Sequence, residues 1–274
     1  MAKPTRSWLF TPGTRPERFA KAGEAGADVL IIDLEDAVAP SEKAAARSSV
    51  LRYLGSARSD GTQHAIRING LDTVHGLADM QALVETGTKA DYIVLPKTES
   101  ADHIHILDRL LTQAGIAARI IGIIESARGL AAVDSIARSS SRLHGLMFGA
   151  ADMAADLGAE ATWNSLSYVR GRIIVACADA RVAAIDSPYF DVRNKPGLIH
   201  EVRCSVDMGF GAKAAIHPAQ IEPINTALTP TDEAVEQARA ILTENEKGVG
   251  VIDGRMIDEA VARKARRVLA AIGG

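Results

Sequence analysis

The sequence predicts an α/β protein: a (β/α)8 TIM barrel over residues 1–228 with a C-terminal helical appendage or lid over residues 229–274, one domain overall. Three observations point there. Eight short apolar runs alternate with stretches of helical period. The length of 274 residues suits one such barrel, for which about 250 is typical. Nearly every run ends in a charged or strongly polar residue, and catalytic groups of these barrels sit where strands end. A doubly wound open sheet shares the alternation, since pattern alone does not show closure.

The runs begin with SWLF (Ser7–Phe10), VLIID (Val29–Asp33), HAIRIN (His64–Asn69) and YIVLPK (Tyr92–Lys97). RIIGIIE (Arg119–Glu125), GLMFG (Gly145–Gly149), AAID (Ala183–Asp186) and AKAAIHP (Ala212–Pro218) follow. Between them lie segments such as SEKAAARSSVLRYL and SADHIHILDRLLTQAG, with apolar residues three and four apart. Beyond the eighth run, Thr229-Pro230 reads as an N-cap followed by proline at the first helical position. GVGVIDGRMID, with Gly248, Gly250 and Gly254, reads as a flexible joint. The final helix is expected to align Ile257, Val261, Ala265, Val268 and Ile272 on one face.

Composition narrows the partners. A net charge of −3 gives no electrostatic pull towards nucleic acid or an anionic membrane, and 4% aromatics leave little for base stacking. Cys177 and Cys204 show no metal or redox spacing and read as small hydrophobes in a reducing compartment. No run reaches the roughly 18 apolar residues of a membrane span, and the start carries no signal-peptide pattern. A soluble, cytoplasmic protein is expected.

The acids are the puzzle. Asp33, Glu35 and Asp36 crowd four positions after a buried-looking strand, which costs desolvation and repulsion unless a cation faces them. Glu125 closes an otherwise apolar run, and Asp152 follows the small-residue turn Gly149-Ala150-Ala151. Two carboxylates from neighbouring strands suit Mg2+, which takes its remaining ligands from water and substrate oxygens. Salt bridges to Arg15, Arg67 or Lys97, or helix caps, would explain the same pattern.

FTPGTRPERFAKA, DVLIIDLEDAVAPSEKAAAR, IRIN, VLPK, GIIES, FGAADMAADLG and IHPAQIEPIN resemble, in order and spacing, the citrate lyase β-subunit-like proteins of the HpcH/HpaI aldolase superfamily. Malyl-CoA and citramalyl-CoA lyases are relatives. The likeness runs from Trp8 to about Ile272. It implies a Mg2+-dependent (β/α)8 barrel, with Mn2+ able to replace Mg2+, assembled as a homotrimer or dimer of trimers. It also implies that Glu125 and Asp152 bind the metal, that Arg67 grips the carboxylate of a 2-oxo acid, and that the Gly149-Ala150-Ala151 turn donates backbone N–H groups to that ligand. Glu35 and Asp36 would hold waters around the metal, and Arg15 would contact CoA or substrate. Ser126 stands where the family commonly has Thr.

Asp258 has two readings. It is a plain helix N-cap by spacing. By resemblance it is the acid that CoA lyases carry on a C-terminal lid, reaching a neighbouring subunit's site. His64, His75, His103, His105 and His144 show no metal spacing and are set aside, as is a Schiff-base role for Lys97. His217 is expected to help shape the mouth at the eighth strand, and Asp186 stays open. The expected activity is cleavage of a 3-hydroxyacyl-CoA, such as malyl-CoA or citramalyl-CoA, into acetyl-CoA and a 2-oxo acid. The alternatives are a citrate lyase β subunit acting on an acyl-carrier-protein thioester, a malyl-CoA thioesterase or synthase, and a CoA-independent class II 2-oxo acid aldolase.

Overall fold

The computed structural model describes residues 5–56, 61–246, 250–252 and 255–271. Its sheet closes: eight parallel strands pair in chain order and the eighth returns to the first. They are β1 (Ser7–Pro12), β2 (Val29–Asp33), β3 (Gln63–Arg67), β4 (Tyr92–Leu95), β5 (Arg119–Ile124), β6 (Leu143–Phe148), β7 (Ala183–Asp186) and β8 (Ala212–Ala215). Closure decides between the barrel and the open sheet.

Helices cross between consecutive strands: α1 (Phe19–Gly23), α2 (Lys43–Gly55), α3 (Val74–Thr86), α4 (Ala101–Gln113), α5 (Ala127–Ala131) and α6 (Val133–Ala137). They continue with α7 (Ala150–Leu157), α8 (Ser167–Ala180), α9 (Lys195–Met208) and α10 (Ile221–Leu228). The strand period of two sorts side chains into two cores. Trp8, Val29, Ile31, Val94, Ile121 and Met147 fill the barrel, while Leu30, Ile32, Ile66 and Ile93 face the helices. This alternation carries Asp33, Arg67 and Glu125 onto the inward register at the carboxyl-terminal mouth.

The floor is aromatic. Trp8 lies 4.9 Å from Tyr92, and His144 lies 5.1 Å from Tyr92. Pairing jumps from Ile120↔Leu143 to Ile121↔Gly145, so His144 is the extra residue of a bulge. Its Nδ1 accepts from Arg119 Nη1 at 3.1 Å, and burial, with Arg119 adding to it, pushes its pKa down to about 4.

After the barrel come α11 (Asp232–Asn245), an antiparallel pair β9 (Gly250–Ile252) and β10 (Arg255–Ile257), and α12 (Glu259–Ala271). Two expectations change here. The N-cap of α11 is Thr231, accepting from Ala234 N, because Thr229 instead bonds Asn225 O and receives Arg6 Nη1. Ile257 ends β10 and is not on the final helix. The two three-residue strands were unforeseen, being too short to show periodicity. Gly248, Gly254 and Ile272 lie outside the described residues. A cavity of about 700 Å3 separates α12 from Met208–Gly211, where α9 ends at the amino-terminal side of the barrel. Among the described residues no helix is long and apolar enough to cross a membrane.

Candidate active site

Asp33 and Arg67 are register partners on β2 and β3, so the strand ladder itself sets them side by side. Arg67 grips Asp33 in bidentate fashion, Nε to Oδ1 at 2.7 Å and Nη2 to Oδ2 at 2.6 Å. Asp33 also accepts the Glu35 and Ala37 backbone N–H groups, which folds the acidic loop back over the strand end. Nη1 of Arg67 reaches Glu35 at 2.9 Å and Asp36 at 3.8 Å, and its guanidinium lies 5.0 Å from the Phe10 ring centroid. These acids hold Arg67 firmly charged, raising its pKa despite burial. The β1 loop comes equally close: a Cβ on Gly13 would sit 2.6 Å from the Asp33 carbonyl oxygen.

Glu125 continues the inward register of Ile121 and Ile123 and is buried. Its Oε1 accepts the Lys97 N–H at 2.7 Å. Lys97 adopts a left-handed φ of 48°, a costly conformation for a side-chain-bearing residue that aims this N–H at the carboxylate. Burial, reinforced by the charge of Glu35, holds the Glu125 carboxyl well above the ordinary carboxylate range. A Cβ on Gly149 would lie 2.6 Å from Glu125 Oε2, so glycine there makes room for the acid. Asp152, in the first turn of α7, is half-exposed.

The Lys97 ammonium sits among these acids, 2.9 Å from Glu35 Oε1, 3.6 Å from Asp152 Oδ2 and 4.0 Å from Glu125 Oε1. Salt bridges to Arg67 and Lys97 are therefore real. One to Arg15 is not: its side chain is exposed and pairs only loosely with Glu17, at 4.0 Å. Asp33, Asp36, Arg67, Glu125 and Asp152, with Phe10, Met147, Pro188 and Phe190, border a cavity of about 390 Å3.

One expectation about donors is revised. The Gly149 N–H is committed to the Ile124 carbonyl at 3.0 Å, as the strand ladder requires, so it does not serve a ligand. Ala150 and Ala151 open α7, where helix geometry leaves N–H groups without intrahelical partners and no side chain caps them. Asp258 caps α12 through Val261 N at 3.0 Å and does not border the cavity of its own chain.

Other open residues resolve structurally. Asp186 is fully buried with Arg170, Lys213 and Ser205. His217 caps the turn after β8, its Nδ1 accepting from Ala219 N. Ser126 caps α5 and donates to Glu99. The supporting residues beneath the acidic loop had no sequence reading. Buried Lys43 donates to the Leu34 and Glu35 carbonyls and to Asn69 Oδ1, and Asp79 accepts from Asn69 and Arg47. Lys43 and Arg47, one turn apart after an acidic loop, are the signal that could have found them.

The group fits a hard divalent cation. Five carboxylates face two cations, every donor is oxygen, and Glu35 Oε2 is buried and accepts no hydrogen bond, although Arg67 Nη1 is near enough for an ion pair. Among the described residues no three of His, Cys, Asp and Glu form a complete metal-binding group. A cation held by Glu125 and Asp152 would therefore fill its other positions from water and substrate, the habit of Mg2+.

The family model for HpcH/HpaI aldolase/citrate lyase matches residues 6–218. The chain belongs to this family. Within it, the chain is 34% identical to the L-malyl-CoA/beta-methylmalyl-CoA lyase of Cereibacter sphaeroides, over 98% of this chain and 94% of that one. It is 52% identical to RipC from Yersinia pestis, with a TM-score of 0.76 over 84% of this chain and 98% of that one. CitE from Mycobacterium tuberculosis, in complex with magnesium, acetoacetate and coenzyme A, matches at 33% identity and a TM-score of 0.83, over 100% of this chain and 99% of that one.

Proposed function

We propose that this HpcH/HpaI family member is a Mg2+-dependent acyl-CoA lyase, cleaving a 3-hydroxyacyl-CoA such as malyl-CoA or citramalyl-CoA into acetyl-CoA and a 2-oxo acid. The observation that carries the reading is the convergence of Glu125, Asp152 and Arg67 on one cavity at the carboxyl-terminal mouth. The family match and the ligands of the related CitE point the same way.

Glu125 and Asp152 would hold the metal. Bound there, Mg2+ supplies Lewis-acid stabilisation of the charge that develops as the carbon–carbon bond breaks. Asp33 occupies the Nε–Nη2 edge of Arg67, so the oxo-acid carboxylate would meet the Nη1–Nη2 end, which Glu35 and Asp36 approach at Nη1. Ala150 and Ala151 N–H would support that carboxylate from the start of α7. Exposed Asp36 would accept hydrogen bonds from ordered water, and Glu35, whose Oε2 accepts no hydrogen bond although Arg67 lies 2.9 Å away, would add to the negative charge around it. Arg15, exposed just beyond β1, would meet the CoA end.

Release of acetyl-CoA needs a proton delivered to its methyl carbon, and the reverse reaction needs that proton removed. We assign this exchange to Asp258 of a neighbouring copy, because α12 packs towards the opposite end of its own barrel. The working form would then be a homotrimer or a dimer of trimers in the cytoplasm.

The test is turnover of malyl-CoA and citramalyl-CoA with Mg2+ and with EDTA. Mg2+-dependent acetyl-CoA and oxo acid are expected. Free CoA with an intact hydroxy acid would replace the lyase by a thioesterase. Cleavage confined to free 4-hydroxy-2-oxo acids would make it an aldolase, and activity confined to an acyl-carrier-protein thioester a citrate lyase β subunit.

A further inference from the structure

Lys97 makes two separate attachments to the acids of the mouth. Its backbone N–H binds Glu125 Oε1 at 2.7 Å, held there by the left-handed turn. Among the described residues its ammonium hydrogen-bonds Glu35 alone, at 2.9 Å, and approaches Asp152 and Glu125 at 3.6 and 4.0 Å, ion-pair range without a hydrogen bond. The backbone attachment would survive any movement of the side chain. That side chain is 47% exposed and has a flexible four-carbon stem, so it is free to swing.

A metal ion coordinated by Glu125 and Asp152 would stand within a few ångström of this ammonium, and two cations so close repel strongly at a partly buried site. Without any cation, however, Glu35, Glu125 and Asp152 would repel one another. The surplus of acid requires a cation, and the repulsion makes the ammonium and the metal alternative occupants.

We propose that the Lys97 ammonium is a built-in competitor for the metal, screening Glu125 and Asp152 until the metal binds and then turning away from them while keeping its bond to Glu35. This rests on the reading of Glu125 and Asp152 as metal ligands. Lys97 is then a positioning residue: its backbone fixes one metal ligand while its side chain lowers the affinity of the pair. The barrel folds with its acids screened, and the metal binds reversibly.

The experiment is Mn2+ titration followed by electron paramagnetic resonance, with thermal unfolding in EDTA and in excess Mn2+, for the wild type and Lys97→Met. Methionine keeps the stem and the backbone N–H. Mn2+ binding should tighten by about three- to tenfold, the scale of one or two partly exposed ion pairs. The unfolding midpoint in EDTA should fall, and the gain on adding Mn2+ should grow. Equal or weaker Mn2+ binding by a folded variant would overturn the competitor role. If Lys97→Met fails to fold, Lys97→Gln carries the same expectations. No Mn2+ bound by the folded wild type would overturn the metal reading and the exchange with it. Tight wild-type binding unchanged in both variants would overturn the exchange alone.

Discussion

Arg170 and Lys213 meet Asp186 and Glu201 between the strands and the outer helices, two cations against two carboxylates. At the mouth, Arg67 and Lys97 meet Asp33, Glu35, Asp36, Glu125 and Asp152. The first cluster is buried and the second only partly so, with Asp36, Lys97 and Asp152 reaching solvent, yet in sequence each shows an acid at the end of an apolar run. They differ in balance. Asp186 accepts from Arg170, Lys213 and Ser205 at 2.9, 2.8 and 2.5 Å, and despite its burial these partners hold its carboxyl below the usual range. Glu125 has a carboxyl held above that range. A cluster balanced in charge stabilises the fold even though Arg170 Nη1 makes no hydrogen bond, whereas a surplus of one sign facing a cavity marks a site that awaits a ligand.

The sharpest way to break this contrast is to delete one acid from each cluster. Glu125→Gln or Asp152→Ala should lower kcat by about a thousandfold or more, the scale of losing a metal ligand or a preorganised charge. In EDTA the unfolding midpoint of either variant should hold or rise, because like-charge repulsion and the burial cost of Glu125 are relieved. A midpoint that falls steeply in EDTA would make the mouth a structural cluster after all. Mixing Asp152→Ala subunits with Asp258→Ala subunits should restore part of the turnover if Asp258 acts across a subunit boundary. An inactive mixture of co-assembled chains would remove Asp258 from the mechanism.

Asp186→Ala should behave in the opposite way. It strands buried Arg170, leaves Lys213 with Glu201 alone, and should cost about 3–5 kcal/mol in urea unfolding, while kcat per folded molecule changes little. Loss of turnover without loss of stability would show that the Asp186 cluster communicates with the site.

The contrast also explains what was legible in advance. The alternation of runs and helical segments announced eight βα units, and Asp33 and Glu125 stood out as the ends of the apolar runs VLIID and RIIGIIE, although which side they face shows only once the barrel is built. Closure was not legible, since it depends on Ser7, Trp8 and Leu9 pairing with Lys213, Ala214 and Ala215 some two hundred residues away. The acids stood out because they interrupt apolar runs. Their support did not: Lys43, Arg47 and Asp79 lie on helices, where charged residues are ordinarily solvated. Nor did Asp186 declare itself, because whether an acid at a strand end is balanced depends on partners such as Arg170 and Lys213. Local spacing does not show them.

The smallest expected effect lies at the barrel floor, where balance again decides the sign. His144 was set aside as a histidine without metal spacing, and the structure gives it a packing role between Trp8, Tyr92 and Arg119. Its folded pKa of about 4 lies below the ordinary 6.5, so the folded state favours the neutral ring. Between these values the unfolded chain binds more protons, and stability therefore rises with pH across that window and is lost as pH falls from about 6.5 towards 4. Acids elsewhere also titrate in this range, so the readout is a difference. His144→Gln keeps a hydrogen-bond acceptor for Arg119 but cannot be protonated, and its urea midpoint should decline less than that of the wild type between pH 7 and pH 4. Superimposable curves would mean that the imidazole takes up its proton inside the folded barrel as easily as outside it, and that the Arg119 contact gives way to allow it.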